Sequence, residues 1–280
     1  MLSSLSAADI DRLIAEDVPY GDLTTQALAI GGLRGAITFA ARVDSIVCAS
    51  EEAALIFERL GAVATVLAGS GTPAVAGTLL LRAEGRAAAL FSGWKIAQTL
   101  MEWSSGIASA AAQVVAAARR ESPRIVVACT RKTVPFNRHL CVKAVHAGGA
   151  SMHRLGLSDS VLLFPEHRVF GEDGLVQTIA RLRAQAPERL IVVEATGVED
   201  AVTAAAHADV VQLEKFSIED TVRVLANVRK REDGRPGVAA AGGITAANAA
   251  QYAATGVDVL VTSWPYQAPP RDVQVNFSQI

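Results

Sequence analysis

Residues 124–261 alternate between short β-branched runs and longer helical stretches, and this alternation constrains the fold more than any other feature. Continuous apolar runs of this kind suit strands that are buried on both faces of a parallel sheet. A polar or glycine-containing turn and a helical stretch follow each run, as in α/β folds. The predicted strands are residues 124–129, 160–164, 190–194, 209–213, 238–241 and 257–261. The pattern favours an α/β barrel, with an open doubly wound sheet as the alternative.

The first 90 or so residues have the mixed pattern of a small α+β domain, with turn signals between the elements. The predicted elements are helices at 7–16 and 51–60 and strands at 35–42 and 78–82. The spacing of apolar residues then predicts a long buried helix from 93 to 120. The small residues Ser104-Ser105-Gly106 could break this helix.

Composition excludes several classes of partner. The formal net charge is −2 and there is no long basic run, which argues against nucleic acid and against an anionic membrane surface. The N-terminus lacks the pattern of a signal peptide, and no run of about 18 apolar residues is free of charges and turns. We therefore expect a cytoplasmic protein without membrane segments. Its three cysteines have no metal-ligand spacing and are expected to be buried thiols.

Polar residues and glycines stand at the predicted carboxyl ends of the strands, where the βα loops of a parallel barrel form the active site. Any one of them could be an ordinary solvated strand end, but together they predict a site. They are Thr130, Arg131, Lys132 and Thr133 after the first strand, Glu166, His167 and Arg168 after the second, Glu194, the pair Glu214 and Lys215, the pair Gly242 and Gly243, and the pair Thr262 and Ser263.

The chemistry of these residues fits a phosphorylated substrate. Glu194 and Glu214 could hold Mg²⁺ directly or through water, or be two unrelated surface glutamates. Gly242-Gly243, followed by a predicted helix with Thr245 as its N-cap, could bind a phosphate through backbone N–H groups. A cluster of cations suited to a polyanion comprises Arg131, Lys132, Arg138, Lys143, His153 and Arg154.

The order and spacing of several motifs resemble the quinolinate (nicotinate-nucleotide) phosphoribosyltransferase family. The motifs are residues 16–25, Ser105-Gly106-Ile107-Ala108, Thr130-Arg131-Lys132-Thr133, Gly148-Gly149, His153-Arg154-x-Gly156-Leu157-x-Asp159 and Gly242-Gly243-Ile244. The resemblance implies an N-terminal α/β sandwich domain, residues 1–108 completed by 268–280, and an open α/β barrel, residues 109–267. It also implies a homodimer with shared active sites, or a higher oligomer, and Mg²⁺-dependent use of phosphoribosyl pyrophosphate (PRPP).

The resemblance further implies a role for each matching residue. Lys132, Glu194 and Glu214 are expected to be catalytic, and the two glutamates to bind the metal and the ribose. Glu214 stands where the family usually has Asp, and Lys95 where it has an Arg that reaches the neighbouring subunit's site. The substrate-binding residues are expected to be Lys95, Arg131, Lys132, Arg138, His153, Arg154, Lys215, Gly242, Gly243, Thr262 and Ser263.

Two departures from the family pattern bear on the substrate. The segment Leu163-Phe164-Pro165-Glu166-His167 replaces Ile-Lys-Asp-Asn-His, and Ala239-Ala240-Ala241 replaces Glu-x-Ser. With residues 262–266, these variants look like the ModD subgroup, pyrophosphorylases associated with molybdenum transport. The expected function is therefore transfer of ribose 5-phosphate from PRPP to an unidentified small acceptor. The alternatives are a true quinolinate phosphoribosyltransferase of NAD biosynthesis and a catalytically silent relative that binds an anion or nucleotide.

Overall fold

The computed structural model describes residues 4–228, 234 and 236–280. The α-helices in this part of the chain are α1 (Ala7–Asp17), α2 (Leu23–Ala27), α3 (Ser50–Arg59), α4 (Ala87–Glu121), α5 (Arg138–Ala147), α6 (Pro165–Arg168), α7 (Leu175–Gln185), α8 (Val198–Ala205), α9 (Ile218–Asn227) and α10 (Ala249–Ala254). The strands are β1 (Arg34–Ala41), β2 (Ser45–Ile46), β3 (Val63–Val66), β4 (Pro73–Ala74), β5 (Leu79–Arg86), β6 (Val126–Cys129), β7 (Ser151–Met152), β8 (Val161–Leu163), β9 (Ile191–Ala195), β10 (Val210–Glu214), β11 (Gly237–Ala241), β12 (Val259–Thr262) and β13 (Val273–Gln279).

The chain divides into two compact units. Unit 1 comprises Met1–Ala112, Thr133–Gly149 and Pro265–Ile280, and unit 2 comprises Gln113–Lys132 and Ala150–Trp264. The segment Thr133–Gly149, which lies in the sequence range 109–267 expected for the barrel, groups with unit 1.

Unit 1 contains an antiparallel sheet with the order β13, β1, β5, β3. The C-terminal strand pairs with β1 over its whole length, from Gly35 opposite Gln279 to Ala41 opposite Val273. Fully buried side chains, including Phe39 and Phe57, form a core between this sheet and α3. The sheet of unit 1 therefore includes a strand from the end of the chain.

Helix α4 is continuous and has no break near Ser104-Ser105-Gly106. These small residues permit close packing instead of ending the helix. A Cβ on Gly106 would lie 2.5 Å from the carbonyl oxygen of Pro269. Ser105 Oγ accepts a hydrogen bond of 2.9 Å from the backbone N–H of Cys48. None of the described helices, α4 included, is long and apolar enough to cross a membrane.

Unit 2 contains a parallel sheet with the order β7, β6, β12, β11, β10, β9, β8. Except for β7 and β8, strands that are consecutive in the chain lie beside one another, and β6 pairs with β12, so the order is that of a barrel and not of a doubly wound sheet. Within the described residues no ladder joins β7 to β8, and the barrel is open there. The predicted fold class, an N-terminal sandwich domain with an open α/β barrel, is confirmed. The two-residue strand β7 was not predicted.

Candidate active site

The carboxyl-terminal edge of the sheet in unit 2 brings together most of the predicted site residues. Glu194 is the last residue but one of β9, and Glu214 ends β10. Gly242 follows β11 and Thr262 ends β12. Because neighbouring strands are parallel and in register, their ends lie along one edge, as does Lys132 after β6.

Glu194 and Glu214 form the acidic part of this edge. Burial raises the pKa of Glu194, and the negative charge of Glu214 raises it further, against a hydrogen bond from Gln212 that lowers it. Two carboxylates that repel one another in a half-buried site would be stabilised by a cation. The described residues contain no group of three or more acidic, His or Cys side chains able to hold a metal. Two carboxylates nevertheless suit Mg²⁺, which is usually held by one or two carboxylates, water and substrate phosphates.

Gly242 is required at its position for two reasons. Its φ of 82° lies in the left-handed region, which favours glycine. A Cβ there would lie 2.7 Å from Glu214 Oε1 and 2.9 Å from the backbone nitrogen of Lys215. Lys215 itself has a φ of 59°, an uncommon conformation for a non-glycine residue. The missing side chain therefore lets β11 end directly against the acidic group.

The loop after Gly243 differs from the prediction. Helix α10 begins at Ala249 with Asn248 as its N-cap, so the predicted cap at Thr245 is wrong. Asn248 instead closes the loop, accepting from the N–H of Thr245 at 2.8 Å and donating to the carbonyl of Gly243 at 3.0 Å. The buried hydroxyl of Thr262 donates to the carbonyl of Ile244 at 2.7 Å. Thr262 thus holds the glycine loop in place, and Ser263 lies beside it, partly buried.

Three predicted cations lie in the same unit and act on one another. Burial lowers the pKa of His153, and the charges of Arg154 and Arg131 lower it further. Burial and Arg131 also lower the pKa of Arg154, while Asp159 opposes this. A site in which positive charges depress one another's protonation is suited to an anion, because an added negative charge would relieve the repulsion.

Phe164, the residue that replaces a Lys of the family pattern, packs against this cationic group. The Arg154 guanidinium lies 5.6 Å from the centroid of the Phe164 ring. The His167 ring stacks on Phe164 with 5.7 Å between centroids, and His167 Nδ1 accepts a 3.0 Å hydrogen bond from the backbone N–H of Phe164. The replacement therefore removes one charge and adds an aromatic surface in contact with Arg154.

Three cations expected near the substrates lie in unit 1. Arg138 is exposed at the start of α5. Lys95 is also exposed; its Nζ lies 4.2 Å from the centroid of the Trp94 ring and donates to Gln98 at 3.2 Å. Lys95 is therefore a solvent-exposed cation in a mostly apolar helix. Its entry into a partner subunit's site stays a prediction.

The third of these cations, Lys143, is buried in an ion-pair network. Its Nζ lies 2.9 Å from Glu51 Oε2 and 2.7 Å from Glu52 Oε2. Including Lys143 in an anion-binding cluster is therefore wrong, because two carboxylates already neutralise its charge.

Sequence reasoning missed Gln212, which lies in β10 between Val211 and Leu213. Its Nε2 donates a 2.7 Å hydrogen bond to Glu194 Oε2. The sequence feature that could have indicated Gln212 is its polar side chain in an otherwise apolar strand that ends at Glu214.

Comparison with known proteins confirms the family resemblance over nearly the whole chain. Residues 22–105 match the model described as "Quinolinate phosphoribosyl transferase, N-terminal domain", and residues 107–276 match that of the C-terminal domain. The predicted enzyme class, phosphoribosyltransferase, is that of the family.

Individual relatives agree with this match. The chain is 54% identical over 240 residues to the "Putative pyrophosphorylase ModD" of Rhodobacter capsulatus, covering 85% of this chain and 92% of the relative. It is 31% identical over 265 residues to the "Probable nicotinate-nucleotide pyrophosphorylase [carboxylating]" of Synechocystis, covering 93% and 88%. The solved nicotinate-nucleotide pyrophosphorylase of Francisella tularensis is similar with a TM-score of 0.88 and 22% identity, covering 96% of this chain and 94% of that one. This last likeness shows the fold alone.

Proposed function

This chain belongs to the quinolinate phosphoribosyl transferase family, and from that premise we propose that it is a Mg²⁺-dependent enzyme that transfers ribose 5-phosphate from PRPP to a small acceptor. The bond from C1 of the ribose to pyrophosphate breaks, pyrophosphate leaves with the electron pair, and the acceptor's nucleophile forms the new bond to C1. The observation that carries the proposal is the pair of carboxylates, Glu194 and Glu214, beside the glycine loop at one edge of the sheet.

Each part of the site has a task in this reaction. Glu194 and Glu214 would hold Mg²⁺, which neutralises the charge that develops on pyrophosphate, and would orient the ribose hydroxyls. The backbone N–H groups after Gly242 would bind the 5-phosphate. Lys132 supplies a positive charge for the departing pyrophosphate. The likeness to proteins named ModD is the sole support for the further proposal of a link to molybdenum transport.

The acidic pair is tested by Glu194→Gln, Glu214→Gln and the double variant. The matched control is Glu199→Gln, an exposed glutamate in the first turn of the next helix, α8. We expect the site variants to stay folded and to lose Mg²⁺-dependent PRPP binding, measured by titration calorimetry, while the control binds normally. Unchanged affinity in the double variant contradicts the assignment.

The acceptor is proposed to carry less negative charge than quinolinate. Quinolinate has two adjacent carboxylates, and each charge-assisted hydrogen bond lost with a cation costs about 1.5–3 kcal/mol. Phe164 provides an aromatic surface beside Arg154 where the family pattern has a Lys. If that Lys position faces the acceptor, one lost bond lowers kcat/KM for quinolinate by about one to two orders of magnitude.

The experiment measures pyrophosphate release at saturating PRPP and Mg²⁺ with quinolinate, monocarboxylate and uncharged nitrogen heterocycles. Phe164→Lys should improve quinolinate use relative to the others. The second candidate is a true quinolinate phosphoribosyltransferase, which the 31% identity to the Synechocystis protein favours. Turnover of quinolinate by the native chain at a kcat/KM of about 10⁴ M⁻¹s⁻¹ or more supports this candidate. PRPP binding without release from any acceptor supports a silent ligand-binding relative.

A further inference from the structure

Gln212 is a polar side chain in the interior of the barrel sheet. It is 5% exposed, and its neighbours Val211 and Leu213 are 0% and 1% exposed. Because side chains alternate along a strand, Gln212 lies on the same face of β10 as Glu214, and Val211 and Leu213 lie on the other. Its register partners are Glu194 on β9 and Ala239 on β11. The amide therefore lies among the residues of the proposed active site.

The two ends of this amide have very different surroundings. Nε2 donates to Glu194 Oε2 at 2.7 Å, the short distance that is typical of a charge-assisted hydrogen bond. Oε1 is buried and has no hydrogen-bond partner among the described residues. Turning the amide over would place Oε1 against a carboxylate oxygen of Glu194, so the hydrogen bond from Nε2 fixes the orientation of the amide.

An unpartnered buried acceptor destabilises a fold, and an apolar side chain of the same length would avoid that cost. Apart from Glu194 and Glu214, the residues around Gln212 on this face are apolar: Ala239, Ala241 and Val261 form a buried cluster with Val210 and Val259 packed against it. Methionine would fit such surroundings without leaving a polar atom unsatisfied. The presence of glutamine is therefore not explained by packing, and the one hydrogen bond that its side chain makes to the described residues is the bond to Glu194.

We propose that Gln212 is a positioning residue that holds the Glu194 carboxylate in one orientation for the phosphoribosyl donor. It acts through Glu194 and touches no reacting atom. The proposal rests on the proposed function, since it assumes that Glu194 contacts PRPP or its metal. Without the amide, the Glu194 side chain can rotate, and part of the binding free energy of PRPP is lost in ordering it.

The test is Gln212→Met, with Gln212→Leu as a second apolar variant and Leu213→Met as the control on the opposite face of the strand. For both Gln212 variants we expect an unchanged or higher melting temperature and a roughly tenfold weaker PRPP affinity in the presence of Mg²⁺. The KM for the acceptor should stay the same. Leu213→Met should bind PRPP as the native chain does.

The outcomes separate this inference from the proposed function. If the native chain does not bind PRPP with Mg²⁺, the proposed function fails. If the native chain binds PRPP and Gln212→Met binds it equally well, the positioning role is wrong. A melting temperature lowered by several degrees in both Gln212 variants also overturns it, because the amide would then be needed for the fold.

Discussion

Replacing Lys143 by methionine should destabilise the protein strongly without acting directly on substrate binding. The Lys143 side chain is 3% exposed, and its two partners Glu51 and Glu52 are 17% and 0% exposed. After the change, Glu52 keeps hydrogen bonds from the N–H and hydroxyl of Ser4 but has no opposite charge. Leaving a buried charge unpaired in this way costs about 3–5 kcal/mol. For a protein of this size that lowers the melting temperature by roughly 10 °C.

The same network predicts how stability responds to acid. Burial alone would raise the pKa of Glu51, but hydrogen bonds from Ser70 and Lys143 outweigh it and lower the pKa to about 2, from an ordinary 4.5. A carboxyl group with a depressed pKa stabilises the fold above its unfolded pKa. This contribution is lost as the pH falls from about 4.5 towards 2. Lys143→Met should weaken the pH dependence in that window, because one of the groups that lower the pKa is gone.

The assay is thermal and denaturant unfolding at neutral and acid pH. The control is Arg59→Met, which breaks an exposed ion pair whose side chains are 55% and 47% exposed and should change stability little, because water already screens the two charges. Adding Glu52→Gln to Lys143→Met should recover part of the loss, since the fully buried partner Glu52 then carries no charge. If Lys143→Met is as mild as the control, or if it keeps full stability and loses anion binding, the structural role is wrong.

Two further predictions concern the candidate site. Gly242→Ala should weaken PRPP binding and lower the free energy of unfolding by about 1 kcal/mol or more. Gly243→Ala should weaken binding less, because Gly243 has a similar φ of 77° but open space at the Cβ position. Equal losses of PRPP binding in the two variants would contradict the argument from the close contacts of Gly242. A carboxylate acceptor bound beside His153 should raise the lowered pKa of its imidazole, so binding takes up protons and weakens as the pH rises through the titration of this imidazole. Calorimetry in buffers with different ionisation enthalpies measures this proton uptake, and His153→Gln should abolish the uptake. Binding heats of the native chain that do not depend on the buffer would contradict the prediction.

The fold could be predicted because its main elements carry strong local signals. Each buried strand of the barrel is an apolar run, and the turns between elements contain glycine or polar residues. The failures are places where distant contacts decide the outcome. The two residues of β7 are too few to show a pattern, and Gly106 looks like a helix breaker until Pro269, far along the chain, is packed against it. Thr245 has the residue type of an N-cap, but Asn248 takes that position.

The candidate site could be predicted to the extent that its residues stand at the carboxyl ends of the strands. Glu194, Glu214 and Gly242 were recognised because parallel topology brings the ends of neighbouring strands to one edge. Charge density along the chain was a poorer guide. Lys143 lies among the cations of residues 130–154, yet the partners that neutralise it are 91 and 92 residues away in sequence. A cluster in sequence therefore says little about charge in space.

Gln212 and the alanines at 239–241 are best understood together. The family pattern has an acidic residue where Ala239 stands, and the structure places Ala239 directly beside Gln212 in the sheet. Burial raises the pKa of Glu194, and the neighbouring negative charge of Glu214 raises it further. A third acidic side chain at this point would add to the repulsion, whereas the amide of Gln212 donates a hydrogen bond to Glu194. With Ala239 in place of an acidic residue and Gln212 on the adjacent strand, the candidate site has less negative charge, and Glu194 still has a hydrogen-bond donor. The loss of a positive charge at Phe164 fits this lower negative charge.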